Sequence, residues 1–472
     1  MKKQNRIDIA KNIKHKHLVL MPDGEEFVPR SPGQIDNQDL RDYFRSEELR
    51  GFAKDEAPSI NEIKRLELFD DEPSCDKGHH LSYPNGKLMM KLVQDWQEKI
   101  AKDELGAMEI GSPLFYDKND KEIKEQASSF HERHYIVKAP DDEQNKDFIL
   151  RFAGDFGLFK MMHRANFSYK QLPVRMFESS QNFRFEQSGE LAGFRRLRYF
   201  HMADVHCFCR DEKMGMKELG VIYKQYEKMY HGLGFAYALV LRIYRPFFEQ
   251  YKSEIKALVQ FSKRPMFIDL MSEMKHYWAM KFEWQSIDSV RGNQQLSTVQ
   301  LDVKEGKVYD ISFVNEKGAR EHCVIVHSSV GSLERCIYAL LEEALKLPHP
   351  VLPLWVSPVQ LRIIPVNNDA HLEYCKKLRI AGIRYDIDDR NESLGRKLVR
   401  ARAEWIPYVA VVGEKEIQGG KLSVSIRKNG SKKEIGKAEL EKEIKHQIRG
   451  LPFRPINLPK LISKRPVFYG AL

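Results

Sequence analysis

Residues 183–200 read FRFEQSGELAGFRRLRYF, and Asp204-Val205-His206 follows almost at once. A second stretch far along the chain, Gly331-Ser332-Leu333-Glu334-Arg335, opens a predicted helix over residues 333–345. Arginines on either side of a tight turn are suited to a polyphosphate, because the planar guanidinium donates to phosphate oxygens in pairs. Asp204 and His206 stand two residues apart, so on a strand they share a face. The two stretches predict a pocket with nucleotide on one wall and an amine or a metal on the other.

The composition is that of a globular protein rather than a membrane or secreted one. The chain has 472 residues, a hydrophobic fraction of 42% and a mean hydropathy of −0.53, which allows two or three domains with full cores. The longest apolar runs are too short to span a bilayer. Residues 1–17 are polar and lysine-rich and lack the apolar core of a secretory signal, so we expect a cytoplasmic protein.

The cysteines do not form a metal-finger pattern. Six are present, at positions 75, 207, 209, 323, 336 and 375, and none stands in a Cys-x-x-Cys pair. A zinc-finger interpretation therefore fails. We expect the cysteines to be reduced thiols, most of them buried.

The net positive charge of the chain comes from its last quarter. From residue 351 onward there are 24 Lys and Arg against 13 Asp and Glu, a net charge of +11, whereas residues 1–350 carry a net charge of −1. A basic face on one domain is the electrostatic footprint of a nucleic-acid-binding protein, although a solvated lysine-rich surface gives the same count.

The residue pattern predicts two kinds of domain. Helical periodicity over residues 213–232 and 333–345, with many β-branched and aromatic runs between them, indicates an antiparallel sheet flanked by helices. Residues 299–326 are predicted to form successive strands, with turns at Gly306 and at residues 315–318. The prolines of residues 348–353 mark a boundary. Beyond it, the pattern predicts a strand over residues 360–366, a helix over 369–378, a strand over 383–387, a helix over 394–403 and a strand over 408–412, which together form a βαβαβ unit in a small α/β domain.

The two arginine stretches resemble motifs 2 and 3 of class II aminoacyl-tRNA synthetases, most closely the archaeal-type threonyl-tRNA synthetases. Residues 105–133, with Gly111-Ser112-Pro113, resemble the motif 1 region that builds the dimer interface, and residues 297–302, 354–366 and 452–455 also resemble family segments. The resemblance implies an α+β catalytic domain at residues 58–349, followed by an α/β anticodon-binding domain at residues 350–472. Residues 1–57 resemble the connecting segment of that family, and we expect no editing domain.

The resemblance also implies an activity, in which ATP activates L-threonine to threonyl-adenylate and threonine is then transferred to tRNA(Thr). The carboxylate attacks the α-phosphate in line, so catalysis depends on positioning and charge neutralisation rather than on a covalent enzyme group. Arg184 and Arg335 match the catalytic arginines, which bind the α- and γ-phosphates. Glu186, Arg196 and Phe200 match the remaining ATP-binding residues, and Mg²⁺ is expected with the nucleotide.

Threonine recognition in this family uses zinc held by one cysteine and two histidines. His206 and His327 match the histidines, while Asp155 stands where relatives place the cysteine. Asp keeps the negative charge of a thiolate, and a carboxylate with two histidines is a known zinc donor set, so the resemblance still implies one zinc ion. The carboxylate hardens the site and can admit another metal. Asp204 and Gln300 match the residues that contact threonine.

The resemblance extends to the anticodon and to protein partners. Asn391 and Glu416 match anticodon-reading positions; Ser425 replaces the usual arginine, and we expect Arg427, two residues on along the same strand face, to substitute for it. A homodimer is expected, as is a separate editing protein acting in trans. Two alternatives stay open, a synthetase that charges another small amino acid and a non-catalytic paralogue that binds tRNA.

Overall fold

The structure is a computed structural model that describes residues 13–49, 57–129, 133–138, 146–274 and 276–469. Residues 1–12 and 50–56 of the predicted connecting segment, and residues 130–132 of the predicted motif 1 region, lie outside the described residues. Two compact units are present, one formed by residues 1–56 and 97–336 and the other by residues 57–96 and 337–472. The domain limits given above stay predictions.

Strands supply most of the framework in both units. The strands are β1 (His15–Leu20), β2 (Glu26–Phe27), β3 (Phe69–Asp71), β4 (His80–Ser82), β5 (Met108–Glu109), β6 (Phe115–Asp117), β7 (Ile136–Lys138), β8 (Asp147–Leu150), β9 (Val174–Phe183), β10 (Tyr199–Cys209), β11 (Ala238–Tyr244), β12 (Met266–Met271), β13 (Trp278–Ile287), β14 (Asn293–Asp302), β15 (Ser312–Val314), β16 (Arg320–His322), β17 (Val324–Ser332), β18 (Leu361–Pro365), β19 (Tyr385–Ile387), β20 (Tyr408–Val412), β21 (Lys421–Ile426) and β22 (Ser431–Gly436).

Helices cover the sheets and connect their strands. The α-helices are α1 (Gln38–Tyr43), α2 (Pro58–Arg65), α3 (Pro84–Lys99), α4 (Lys121–Ser129), α5 (Asp155–His163), α6 (Glu212–Leu233), α7 (Arg245–Gln250), α8 (Lys252–Ser262), α9 (Glu305–Val308), α10 (Leu333–Leu345), α11 (Asn368–Lys377), α12 (Leu394–Ala403), α13 (Glu414–Gly419) and α14 (Lys437–Gln447). None of the helices in the described part of the chain is long and apolar enough to cross a membrane.

The first unit is built on a ten-stranded sheet with the order β2-β1-β12-β11-β13-β14-β17-β10-β9-β5. Its pairs are antiparallel except β11 with β12 and β5 with β9, which confirms the predicted antiparallel sheet. Every residue of β12 is buried, as expected for a continuous apolar strand covered on both faces. The long helix α6 packs on the same sheet, and its Asp211 cap accepts a hydrogen bond from the Met214 N–H at 2.8 Å.

The second unit contains a five-stranded sheet with the order β19-β18-β20-β21-β22. β18 pairs in parallel with β19 and β20, and α11 and α12 are the crossover helices, which confirms the predicted βαβαβ unit. Its apolar core includes Leu361, Ile363, Tyr385, Ala410 and Val424, all buried. β21 and β22 extend the sheet in the antiparallel sense.

Two local expectations are not met. The turn expected at Gly306 is part of the short helix α9, which packs closely against β17, where a Cβ at position 306 would lie 1.9 Å from the Cys323 carbonyl oxygen. Arg427 is not on a strand, because β21 ends at Ile426 and Arg427 begins a 3-10 turn.

Candidate functional site

A cleft of about 750 Å³ opens on one face of the ten-stranded sheet. It is lined by every residue predicted for the ATP, threonine and metal sites: Asp155, Arg184, Glu186, Arg196, Phe200, Asp204, His206, Gln300, His327 and Arg335. They come from β10, β14 and β17, from the segment between β9 and β10, and from the first turns of α5 and α10. Adjacent strands of one sheet thus bring together residues that are up to 180 positions apart in the sequence.

Two arginines dominate one wall of the cleft. The Nε–H of Arg184, just after β9, donates to the Phe152 carbonyl oxygen at 3.0 Å, and its guanidinium lies 5.1 Å from the centre of the Phe200 ring. Arg335 donates to the carbonyl oxygens of Arg195 and Gln295 at 3.0 and 3.1 Å. These contacts are to uncharged carbonyl oxygens, and both side chains line the cleft.

Burial and neighbouring charge lower the pKa values of these arginines. Burial, followed by the positive charges of Arg184 and Arg196, lowers the pKa of Arg335 to about 10. Burial likewise lowers the pKa of Arg184. Arg335 stays charged at neutral pH, so the cleft holds three neighbouring cations that a polyanion would relieve.

A carboxylate anchors the outer part of the arginine wall. Glu186 is buried, and its Oε2 accepts from Arg133 Nη1 at 3.0 Å and from Arg196 Nη2 at 2.8 Å. Arg133 also donates to Glu190 at 2.7 Å. Arg133 was not singled out from the sequence because its segment is separated from the arginine stretch by about fifty residues and only the tertiary fold joins them.

The start of α10 is held rigidly beneath Arg335. Gly331 has φ +131°, and a Cβ there would lie 2.5 Å from the Leu296 carbonyl oxygen, so only glycine fits. Ser332 caps the helix, since its Oγ accepts from the Arg335 N–H at 3.4 Å and donates to Glu334 Oε2 at 2.7 Å. These contacts fix the direction in which the Arg335 side chain leaves the helix.

Asp155, His206 and His327 meet on the opposite wall. His206 and His327 are direct partners in the pairing of β10 with β17, and their ring centres are 4.8 Å apart. His206 Nε2 lies 3.2 Å from Asp155 Oδ1. One ligand atom from each of the three residues lies within 4.8 Å of the others, a spacing suited to a metal ion. Gln300 is opposite His327 on β14, which places it beside the same group.

Charges within this wall are mutually stabilising. Burial would raise the pKa of the Asp155 carboxyl, but the hydrogen bond and charge of His206, helped by His327 and Arg184, bring it below its usual value. Burial would lower the pKa of His206, and Asp155 raises it instead. The Asp204 carboxyl has its pKa raised to about 6 by burial, although Ser180 donates to it at 3.2 Å.

A second carboxylate layer lies behind His327. Its Nε2 is 2.8 Å from Asp302 Oδ2, and both side chains are buried. Glu305 lies 3.7 Å from the same nitrogen; burial, followed by the charges of Asp302 and Asp155, raises its pKa to about 10, so it is neutral at pH 7. Asp302, Glu305 and His327 also form a group with ligand atoms within 4.8 Å. No motif recognised in the sequence includes Glu305.

Tyr277 and Lys281 also line the cleft and were missed at the level of sequence. The Tyr277 hydroxyl donates to Gln300 Oε1 at 3.1 Å, and its ring centre is 5.1 Å from that of His327. Lys281 donates to Gln295 Oε1 at 3.0 Å and pairs with Glu283 at 2.8 Å. Both sit near the start of β13, in an aromatic run with no recognisable spacing.

The residues predicted to read the anticodon lie in the second unit and do not all come together. Asn391 follows β19 and Glu416 follows β20; since both strands run parallel to β18, these residues stand at the same edge of the sheet. β21 runs antiparallel to β20, so Arg427 lies at the other edge, where it donates to the Arg402 carbonyl oxygen at 2.7 Å. Arg427 thus does not share a strand face with Ser425, and its predicted role at the anticodon stays a prediction.

Two family models match this chain. The tRNA synthetase class II core domain (G, H, P, S and T) matches residues 135–344, which include every residue predicted for the ATP, threonine and metal sites. The anticodon binding domain matches residues 360–447. The catalytic and anticodon-binding halves expected from the sequence are confirmed.

Curated relatives cover nearly the whole chain. The threonine–tRNA ligase of Methanothrix thermoacetophila is 38% identical over 471 residues, covering 96% of this chain and 74% of the relative. The chain belongs to the threonine–tRNA ligase family. The family member of Thermococcus kodakarensis is 36% identical and covers 98% of this chain and 75% of its own length. This chain therefore spans about three quarters of the length of these ligases.

A solved structure shows the same fold. The crystal structure titled as the RNA binding domain of threonyl-tRNA synthetase from Cryptosporidium parvum Iowa II superposes with a TM-score of 0.72 and covers 84% of this chain and 98% of that one. Its sequence is 20% identical to this one, so the likeness concerns the fold. An ATP-dependent class II synthetase of this family uses Mg²⁺ with its nucleotide.

Proposed function

We propose that this threonine–tRNA ligase family member activates L-threonine with ATP and transfers it to tRNA(Thr). The observation that carries the proposal is the meeting, in one cleft, of a cationic wall and a carboxylate–bis-histidine group. The first suits a triphosphate and the second suits an amino acid with a side-chain hydroxyl. No covalent intermediate with the protein is needed, because the threonine carboxylate itself attacks the α-phosphate.

Arg184 and Arg335 carry the catalysis of the first step. Arg184 neutralises the charge of the α-phosphate while the threonine carboxylate adds to its phosphorus. Arg335 binds the γ-phosphate, so that the charge of the leaving diphosphate is compensated. Phe200 stacks on adenine, and Glu186 accepts from the adenine amino group. Arg196 steadies the phosphates, and its ion pair with Glu186 at 2.8 Å orients both side chains before ATP arrives.

Asp155, His206 and His327 would hold the metal of the family. Their donor set of two imidazoles and one carboxylate fits zinc, which leaves a position open for a substrate. When bound, the metal would supply Lewis-acid positions for the amine and the hydroxyl of threonine. Asp204 accepts from the threonine amine, and Gln300, held by the Tyr277 hydroxyl at 3.1 Å, lines the hydroxyl side.

The basic second unit binds tRNA. Asn391 is exposed at the sheet edge it shares with Glu416, and we assign both residues to contacts with anticodon bases. Arg427 lies at the other edge, and we assign it to contacts with the tRNA backbone or to a structural role. The Lys and Arg excess from residue 351 onward supplies phosphate contacts, so affinity for tRNA should fall steeply with salt.

The first unit offers a surface for a homodimer. β5 is the terminal strand of the ten-stranded sheet, and Met108 on β5 and Phe115 on β6 are 53% and 51% exposed. An unpaired sheet edge with exposed apolar residues calls for a partner. Met108→Asp should dissociate the dimer in analytical ultracentrifugation, whereas Val221→Asp, at a 39% exposed position on α6, should not. A monomeric parent protein would contradict the assignment.

Serine is the amino acid that the cleft discriminates against least well. It supplies the amine and the hydroxyl and lacks one methyl, worth about 1–3 kcal/mol. Seryl-tRNA made in this way must be cleared by a site other than the cleft, and we propose a separate editing protein for this task. Rapid hydrolysis of seryl-tRNA(Thr) by this chain alone would contradict that proposal.

The test of the proposed function is amino-acid-dependent exchange of ATP with pyrophosphate. Threonine should support exchange, serine should support it more weakly, and valine should fail. Removal of the metal by a chelator should abolish exchange, and zinc should restore it. A protein that shows no threonine-dependent exchange but still binds tRNA would instead establish the non-catalytic alternative.

A further inference from the structure

A second cavity lies entirely within the second unit and has a volume of about 770 Å³. It shares no lining residue with the catalytic cleft. Its walls come from the end of α2, the start of α3, the segment before β18, the end of α12 and residues 458–468. Cavities that bind small molecules measure about 300–1,000 Å³, so this one is large enough for a drug-sized ligand.

The walls of this cavity are mainly apolar and partly aromatic. Leu66, Val359 and Ile406 line it together with Trp405 and Phe468. Trp405 is 7% exposed, and the Arg65 guanidinium lies over its ring at 5.8 Å. Phe468 is 42% exposed. These flat groups favour a ligand with a planar ring, since aromatic rings and guanidinium planes both stack on such rings.

Four arginines line the cavity, and a carboxylate already engages each of them, although Asp386 is shared by Arg465 and the buried Arg362 and the Arg465 Nη2 atom is buried without a hydrogen-bond partner among the described residues. Each is paired with a carboxylate: Arg65 with Glu62, Arg390 with Asp388, Arg400 with Glu392, and Arg465 with Asp386. The two lining glutamates are also engaged. Glu404 pairs with the buried Arg362, and Glu67 accepts from the backbone N–H groups of residues 468 and 469.

This balance decides the charge of the ligand. A phosphate or carboxylate entering the cavity would have to displace an existing carboxylate from its arginine or stay incompletely paired in an apolar environment, and either outcome costs free energy. An uncharged molecule leaves the ion pairs intact and gains the apolar contacts. The cavity therefore differs in kind from the catalytic cleft, where neighbouring arginines repel one another.

We propose that the second unit binds an uncharged, planar aromatic small molecule in the cavity between Trp405 and Phe468. The site is separate from the ATP, threonine and metal sites. Its occupant would lie against residues 458–468, which line one wall of the cavity. Neither its lining nor its charge balance suits RNA, whose backbone brings one negative charge per nucleotide.

A pair of fluorescent probes that differ by one charge tests the proposal. N-phenyl-1-naphthylamine is uncharged, and 8-anilino-1-naphthalenesulfonate is the same ring system with a sulfonate. Titrated into the full chain, the uncharged probe should bind at one saturable site per chain, and the sulfonate should bind roughly tenfold more weakly because its charge must be desolvated. Equal or tighter binding of the sulfonate would overturn the proposal.

Two valine variants locate the probe. Val467 lines the cavity and is 66% exposed, so Val467→Asp should fold normally, keep threonine activation and weaken the uncharged probe about tenfold by placing a charge in the wall. Val399, 62% exposed on α12, does not line the cavity, and Val399→Asp should leave binding within about twofold. Equal effects of the two variants, or displacement of the probe by ATP with threonine or by tRNA, would refute the site.

Discussion

Asp302 should control how tightly the metal site binds zinc, although it is not itself among the three proposed ligands. Its Oδ2 accepts from His327 Nε2 at 2.8 Å, which leaves Nδ1 as the ring nitrogen with a lone pair for a metal. Its Oδ1 accepts from the backbone N–H groups of Lys304 and Glu305 at 2.7 and 3.0 Å. The carboxylate is thus locked in one orientation by three hydrogen bonds.

The perturbation is Asp302→Asn. The amide oxygen must stay on the two backbone N–H groups, so the NH2 group faces His327 Nε2 and favours the tautomer with its proton on Nδ1. Zinc must then displace that proton or break the amide contacts. Loss of such a supporting carboxylate typically weakens metal affinity about 10–100-fold, or about 1.4–2.8 kcal/mol. With both side chains 5% exposed or less, water cannot replace the lost bond.

Competition with a chromophoric zinc chelator measures this affinity without relying on catalysis. Glu305→Gln is the matched control: the pKa of Glu305, raised to about 10 by burial, makes it neutral at pH 7, so an amide of the same shape should keep zinc affinity within about threefold. Asp155→Ala should lose most of the affinity. If Asp302→Asn binds zinc as tightly as the parent, or if Glu305→Gln falls equally far, the assigned support of His327 is refuted.

Other outcomes follow from the same site. Arg184→Ala and Arg335→Ala should each lower threonine-dependent pyrophosphate exchange about 10²-fold or more with unchanged thermal unfolding, and exchange at the parent rate in either would end the catalytic assignment. Valine, which lacks the hydroxyl, should be rejected far more strongly than serine, whose exchange should be about 10–200-fold weaker than that of threonine; equal use of valine and serine would show that the metal pocket does not select a hydroxyl. Gly331→Ala should destabilise the protein by more than about 1 kcal/mol in urea unfolding, because its positive φ and the close carbonyl oxygen leave no room for a methyl group; an unchanged midpoint would contradict that reading of the turn. Asn391→Ala and Glu416→Ala should raise the KM for tRNA in aminoacylation and leave pyrophosphate exchange intact, and an equal loss in both assays would instead indicate a folding defect.

The composition of the second compact unit determines how tRNA binding can be tested. The sequence suggests removing residues 351–472 to separate tRNA binding from threonine activation. The compact second unit, however, also contains residues 57–96, where Asp95 pairs with Arg454 and the ring of Trp96 lies 5.9 Å from that of Trp355. Truncation at residue 350 would expose that apolar surface, so point variants such as Asn391→Ala give the cleaner experiment.

Much of the fold was predictable because it depends on local pattern. The helices at residues 333–345 and 394–403 and the strand at residues 408–412 were predicted with the bounds the structure shows, since apolar period, caps and flanking turns all agree there. Arg427 was misplaced because β21 ends at Ile426, so residue 427 lies in a 3-10 turn rather than on the strand face of Ser425. Gly306 was misread because close packing on Cys323, rather than turn geometry, requires glycine there.

The sequence by itself determined the chemistry available to the site: arginines spaced about a turn, a carboxylate and histidine alternating on one strand, and an aspartate at the position of the family cysteine. Only the tertiary structure decided which of these groups act on one another. His327 gains Asp302 because a strand and its neighbour bring residues 25 apart to 2.8 Å, and Glu186 gains Arg133 across 53 residues. The charge balance of the second cavity is equally a tertiary property, because it depends on contacts such as Arg400 with Glu392 and Arg465 with Asp386. The net charge of +11 over residues 351–472 points the other way.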